Sequence, residues 1–261
     1  MEIKQIKILD QNYLLAGISQ EEEIQTAQNN LERSGGLSDW KMWRDKLLKD
    51  RSALFLICDP CIIKEECSET EKENYICREI ISSLKVQNGV PDRTEKSIKC
   101  AIKDMLEKDF PQTRVYGSQC SIYPFSVNAC IDGEQINGKI ETVLLLNSEA
   151  IVKEKGRECL LPVILHETTH YLEELCSNLE LPVNYELLSP DSEAWNMPAV
   201  NELENINKIL EEEVEYQKKW NHERLTTLVE RMTILSLFDS DEVKRQVSIM
   251  RELFRKVVNL C

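Results

Sequence analysis

The sequence predicts an α+β protein, on three observations. Helical periodicity runs through most of the first 110 residues and again beyond 191, whereas residues 114–146 carry aromatic and β-branched residues broken by Gly117, Asp132-Gly133 and Asn137-Gly138. Between these regions, Val163–Leu172 sets His166 and His170 one helical turn apart in an apolar helix. The expected organisation is a mainly helical region over 1–110 and a second region over 111–261. The latter comprises a sheet at 114–146, the histidine-bearing helix at 157–177 and a helical portion at 191–261.

Taken in order, residues 3–15 suit a short strand or a loose N-terminal segment, and residues 20–33 a charged helix stopped by Ser34-Gly35-Gly36. A helix begins near Ser38-Asp39, with Trp40, Trp43, Leu47 and Leu48 at helical spacing and Pro60 as its interruption. Two more helices are expected over 70–86 and Thr94–Glu107, the second with Ile98, Ala101, Ile102, Met105 and Leu106 on one side. After Phe110-Pro111 two to four strands follow, Asn137-Gly138 turning a tight hairpin into Lys139–Leu146. Asn147-Ser148-Glu149 starts a short helix to 155, and the histidine helix comes next. Leu203, Ile206, Leu210, Val214, Leu225, Leu228, Met232 and Leu235 then mark an apolar seam, broken near Trp220-Asn221. A last helix starts at Asp239-Ser240 and carries Val243, Val247, Met250, Phe254, Val257 and Val258.

Composition excludes several functions. The 42% hydrophobic content supports a sizeable core, while 46 acidic against 32 basic residues give a net charge of −14 that repels phosphate backbones, so nucleic acid is not an expected partner. Met1–Gln20 lacks a basic stretch followed by an apolar core, and the longest apolar runs, Ala53–Cys58 and Val143–Leu146, are too short to span a bilayer. The expectation is a soluble protein without a membrane span, cytoplasmic or secreted by a route that needs no signal peptide. Most of the ten cysteines are then small buried hydrophobes rather than a disulfide framework. Cys58-Asp59-Pro60-Cys61, with Cys67 and Cys77 beyond, does not repeat the paired spacing of a zinc ribbon, and structural thiols are the preferred reading over a disulfide, a second metal site or a redox role. Glu211-Glu212-Glu213 reads as a solvated helix face.

The chemistry concentrates in His166-Glu167-Thr168-Thr169-His170. On a helix the two imidazoles share one face, with Cβ atoms about 5–6 Å apart, close enough to reach one ion. Glu167 lies at the edge of that face, where its carboxylate can take a proton from a zinc-bound water without being a ligand. Val163, Ile164 and Leu165 before the motif and Tyr171 and Leu172 after it make the helix apolar where it packs, and Pro162 falls early enough to be tolerated. This HExxH helix, in the strand–short helix–helix order of 139–172, resembles the zincin metallopeptidases over roughly residues 114–200. The resemblance implies a zincin-like fold in which an edge strand beside the helix holds an extended protein or peptide substrate.

Two histidines need a third protein ligand. Glu174 continues the same face but stands about 12 Å along the axis from His166, which is too far. Ser189-Pro190-Asp191-Ser192-Glu193-Ala194-Trp195 reads as a helix start, and Glu193 within it lies 23 residues after His170. This resembles the gluzincin pattern, in which a Glu on the next helix, often followed by a small residue, completes the site, and Glu193 is the preferred ligand. Asp191, Glu202, His222 and the glutamates of 211–215 are the alternatives. Tyr185, Tyr216 and His222 are candidates to stabilise an oxyanion, and Asp191, Glu174 and Glu202 to orient the imidazoles. The implied activity is zinc-dependent peptide-bond hydrolysis with Glu167 as general base, a set of parts also compatible with a secreted bacterial effector. There is no His-x-x-Gly-x-x-His extension, so no narrower family follows. The rival reading is a helical binding protein whose HExxH is incidental or holds metal only.

Overall fold

The computed structural model describes residues 3–16, 21–49, 52–58, 128–129, 135–136, 139–145, 157–196, 198 and 221–260. The chain divides into two compact units, one formed by Met1–Glu21 and Asp50–Glu154, the other by Glu22–Lys49 and Lys155–Cys261.

The first unit holds a mixed sheet. Strands β1 (Ile3–Ile8) and β2 (Gln11–Ala16) make an antiparallel hairpin in which Ile6 pairs Tyr13 and Lys4 pairs Leu15. Leu9 and Asp10 turn it, both with positive φ (48° and 66°), the geometry a two-residue hairpin needs to match strand twist. Ile6, Ile8, Tyr13 and Leu15 are buried and Gln5 and Lys7 exposed, the period-two pattern of a half-covered sheet. Strand β3 (Ser52–Cys58) runs parallel to both β2 and β6 (Lys139–Leu145), while β4 (Asn128–Ala129) and β5 (Gln135–Ile136) pair β6 antiparallel. The order is β1-β2-β3-β6-β4. Ile136 stands opposite Lys139, so Asn137-Gly138 links β5 to β6 as the expected tight hairpin.

β3 corrects the sequence reading, which ran a helix on toward Pro60. An unbroken apolar run such as Ala53–Cys58 is what a strand between parallel neighbours requires, and by periodicity alone it cannot be told from a buried helix. Among the described residues the first 110 therefore contain three strands beside two helices. The helices expected over 70–86 and 94–107, and the boundary at 110/111, lie outside the described residues.

The second unit is helical. Helix α1 (Glu21–Ser34) buries Ile24, Ala27, Gln28 and Leu31, and Gly35 ends it in the left-handed region at φ 64°. Gly36 follows so close to Ser236 that a Cβ would overlap the serine side chain. Helix α2 (Ser38–Leu48) buries Trp40, Trp43, Leu47 and Leu48. A 3-10 turn at Arg157–Cys159 opens helix α3 (Leu160–Asn178), with Pro162 in the first turn, where no intrahelical N–H is lost. Helix α4 (Asn221–Leu235) is buried on every side from Leu225 to Leu235 and packs along α3. Helix α5 (Asp241–Val257) is capped by Ser240, whose Oγ accepts from Val243 N, carries Asp241 and Glu242 in its first turn and Arg255 and Lys256 in its last, and turns its apolar stripe inward. Trp43 meets Phe254 edge to face at 5.7 Å.

The helix expected from 191 does not form at that point. Glu193–Trp195 is a single 3-10 turn capped by Ser192, and the chain is extended again at Asn196, two residues before Pro198. Cys159 and Cys176 are buried free thiols, and burial pushes the Cys176 thiol up to about 11. Among the described residues no helix is long and apolar enough to cross a membrane.

Candidate metal centre

His166 and His170 face the same side of α3 because four residues make just over one helical turn, and their rings lie 4.9 Å apart. α4 brings Glu223 against them. Its Oε2 is 3.6 Å from His166 Nε2 and 3.3 Å from His170 Nε2, and one donor atom from each of the three residues lies within 4.8 Å of the others. Donors about 2.0–2.1 Å from a tetrahedral ion stand about 3.3 Å from one another, so the three residues are spaced as ligands of one metal ion. They form a group that could hold such an ion. Glu167 Oε1 stands 4.0 Å from His166 Nε2, on the ligand side of the ring.

Both imidazoles have a carboxylate behind them. Glu230, two turns beyond Glu223 on α4, sets Oε2 2.9 Å from His166 Nδ1. Glu173, three residues after His170, sets Oε2 3.7 Å from His170 Nδ1, while its Oε1 accepts a hydrogen bond from Tyr185 Oη at 2.7 Å. Carboxylates in this position keep the proton on Nδ1 and turn Nε2 toward a metal. The donor set and its backing therefore both fit a cation.

The electrostatics follow from burial and crowding. Burial pushes the His166 imidazole down, but Glu223, Glu230 and Glu167 outweigh it and raise it well above its ordinary value; His170 is raised in the same way, chiefly by Glu223. The Glu223 carboxyl is held well below its usual range, because the two imidazoles overcome its burial. Burial raises Glu167 and takes Glu173 up to about 7, and the Tyr185 hydroxyl is raised by burial and by Glu173.

The back of α3 is fixed as firmly as its front. Thr168 and Thr169 donate to the carbonyls of Ile164 and Leu165, each at 2.7 Å, and Thr169 Oγ1 also accepts from the buried indole of Trp40 at 2.9 Å. These uncharged residues satisfy their polar atoms locally, so the helix can be buried around its metal-facing side.

Of the residues expected in the site, His166, Glu167 and His170 come together; Glu193 does not join them. It is exposed, and its carbonyl accepts from Gln246 Nε2 at 3.0 Å on α5. Trp195 Nε1 donates to Ser189 O, closing the segment on itself. Glu223 takes the third position instead, 53 residues after His170. Asp191 and Glu174 are exposed, and Glu173 and Glu230, rather than these two, back the imidazoles. Tyr185 engages Glu173. Glu202, Tyr216 and the glutamates of 211–215 lie outside the described residues, as does the side chain of His222, which precedes Glu223 on α4. The apolar seam of α4 hid Glu223 and Glu230, because they sit roughly opposite Leu228 and Leu235 and read as solvated. One sequence signal was present: that face carries Thr226, Thr227 and Thr233 where a solvated face would carry lysines.

In comparisons with known proteins, no family model, no curated protein and no solved structure matches the chain.

Proposed function

We propose that the chain is a zinc-dependent metallopeptidase of zincin type, with an α+β zincin-like architecture in which His166, His170 and Glu223 hold the metal. The observation that carries this reading is the convergence of both Nε2 atoms on Glu223 Oε2 at 3.6 and 3.3 Å, with Glu167 beside them. Two histidines and one carboxylate are a catalytic zinc set, which leaves a coordination position for water. Zinc in such a set acidifies water toward a pKa of about 7 and polarises a carbonyl. Glu167, whose carboxyl burial raises above its ordinary value, takes the proton of the attacking water and returns it to the leaving amine. Glu230 and Glu173 lie behind the two imidazoles on the Nδ1 side, where a carboxylate favours Nε2 as the metal-facing nitrogen. Peptide-bond hydrolysis uses such a group twice, first as base and then as acid.

The test is elemental analysis of the purified full chain beside His166→Ala, Glu223→Ala and Glu193→Ala, followed by incubation with a mixed peptide library. About one zinc per chain, lost with His166 and Glu223 but kept with Glu193, together with cleavage abolished in Glu167→Gln, is the expected result. A well-folded wild type without metal would sink the proposal. Metal without any cleavage would leave a metal-holding binding protein.

A further inference from the structure

We infer that Tyr185 and Glu173 act as a positioning pair that sets how His170 presents itself to the metal; this rests on the metal-centre reading above. The two imidazoles are supported unequally. His166 Nδ1 lies 2.9 Å from Glu230 Oε2, close but not aligned as a hydrogen bond, and its ring is nearly enclosed, whereas His170 is 27% exposed and its Nδ1 stands 3.7 Å from Glu173. That second distance is beyond hydrogen-bond reach, which ends near about 3.2 Å for N–H···O.

Glu173 itself is half satisfied. Oε1 accepts the Tyr185 hydroxyl at 2.7 Å, while Oε2 is buried with no hydrogen-bond partner among the described residues. A buried carboxylate oxygen without a donor is uncommon and costly, so its orientation needs a cause. Tyr185 is that cause. Its hydroxyl fixes one oxygen and thereby leaves the other directed at His170, 3.7 Å from Nδ1. When Nε2 binds a metal, Nδ1 must carry the proton, and a small rotation of the ring completes the missing bond.

Tyr185 is itself anchored from outside α3. Asn184 N donates to Val257 O at 2.9 Å, Asn259 Nδ2 to Pro182 O at 3.0 Å, and Leu188 beyond the turn is fully buried. The turn that carries Tyr185 is thus tied to the end of α5. Glu173 receives its orientation from a segment that contributes no ligand, and His170 receives it from Glu173. Metal residence is thereby set mainly on the His170 side.

The full chain is loaded with cobalt(II) alone for paramagnetic proton NMR, and with zinc for release into a competing chelator. Wild type is expected to give one slowly exchanging, hyperfine-shifted imidazole N–H for each histidine. In Tyr185→Phe the His170 signal should broaden through exchange while that of His166 stays, and zinc should leave about tenfold faster, the low end of what one charge-assisted hydrogen bond is worth. Glu173→Gln should bind zinc about ten- to a hundredfold more weakly, and it keeps the test sharp if the phenylalanine variant folds poorly. Both signals and the release rate unchanged in Tyr185→Phe would overturn the pair, and so would a fall in kcat at unchanged metal affinity, which would make Tyr185 a donor to substrate. A wild type that takes up no cobalt at all would instead fail the metal-centre reading on which the pair depends.

Discussion

Glu223 and Glu193 divide the metal question between them. If the ligand is the carboxylate within 3.6 Å of both imidazoles, Glu223→Ala loses bound zinc and Glu193→Ala retains it. Equilibrium dialysis against radioactive zinc checks this directly. Glu167→Gln should keep its zinc and lose about 10²- to 10⁴-fold in kcat, the usual share of a general base, when turnover of a cleaved peptide is compared at matched metal content. His166, Glu167 and His170 were legible in the sequence because ligands four residues apart on one helix are a local pattern. Glu223 was not legible as a ligand, because it reaches the group only through the packing of α4 on α3, and the threonines beside it mark that face as covered without saying that the histidines cover it. Glu173 and Glu230 escaped for the same reason: a carboxylate that backs an imidazole carries no signature until its partner is known.

At the scale of elements, α3 holds its line through contacts behind the motif. Trp40→Phe removes the indole donor to Thr169 and part of a buried ring, and should cost about 1–3 kcal/mol in urea unfolding. Gly36→Ala drives a methyl into Ser236 and should cost a similar amount, about 1–3 kcal/mol. Ser236→Gly in the same chain should recover much of the loss, which a purely conformational effect at Gly36 would not allow. Helices α2 and α5 could be read in advance, since Trp40-Trp43-Leu47 and Val243-Val247-Met250-Phe254 repeat at helical spacing between clear start and stop signals. β3 and the turn at Glu193 could not. A short apolar run fits a strand or a helix equally, and Asp-Ser-Glu-Ala after Pro190 caps one 3-10 turn as readily as a long helix.

Across the whole molecule, every residue of the candidate centre belongs to the helical unit, to α3, α4 and the turn at Tyr185. Metal and folding of that unit should therefore be linked. Removing metal with a chelator is expected to lower the thermal midpoint, and adding zinc back at about a thousandfold its Kd should restore about 4 kcal/mol. Differential scanning calorimetry reads this as an upward shift of the unfolding transition on adding zinc. An α+β composition was legible from the alternation of helical and strand-like stretches. The division into units was not, because the segments that make each one are interleaved along the chain.

That interleaving bears on how the protein is made. The chain passes between the units at residues 21–22, 49–50 and 154–155, so no single cut frees either unit whole. Trp40 leaves the ribosome 129 residues ahead of Thr169, the partner that accepts its indole proton. During synthesis the apolar face of α2, with Trp40, Trp43 and Leu47, must wait for α3 and α5, and contacts of such long sequence separation form slowly. A nascent chain halted before residue 160 therefore presents two tryptophans without α3 and α5, the helices that pack on them in the finished fold, and is the species on which a chaperone should be found.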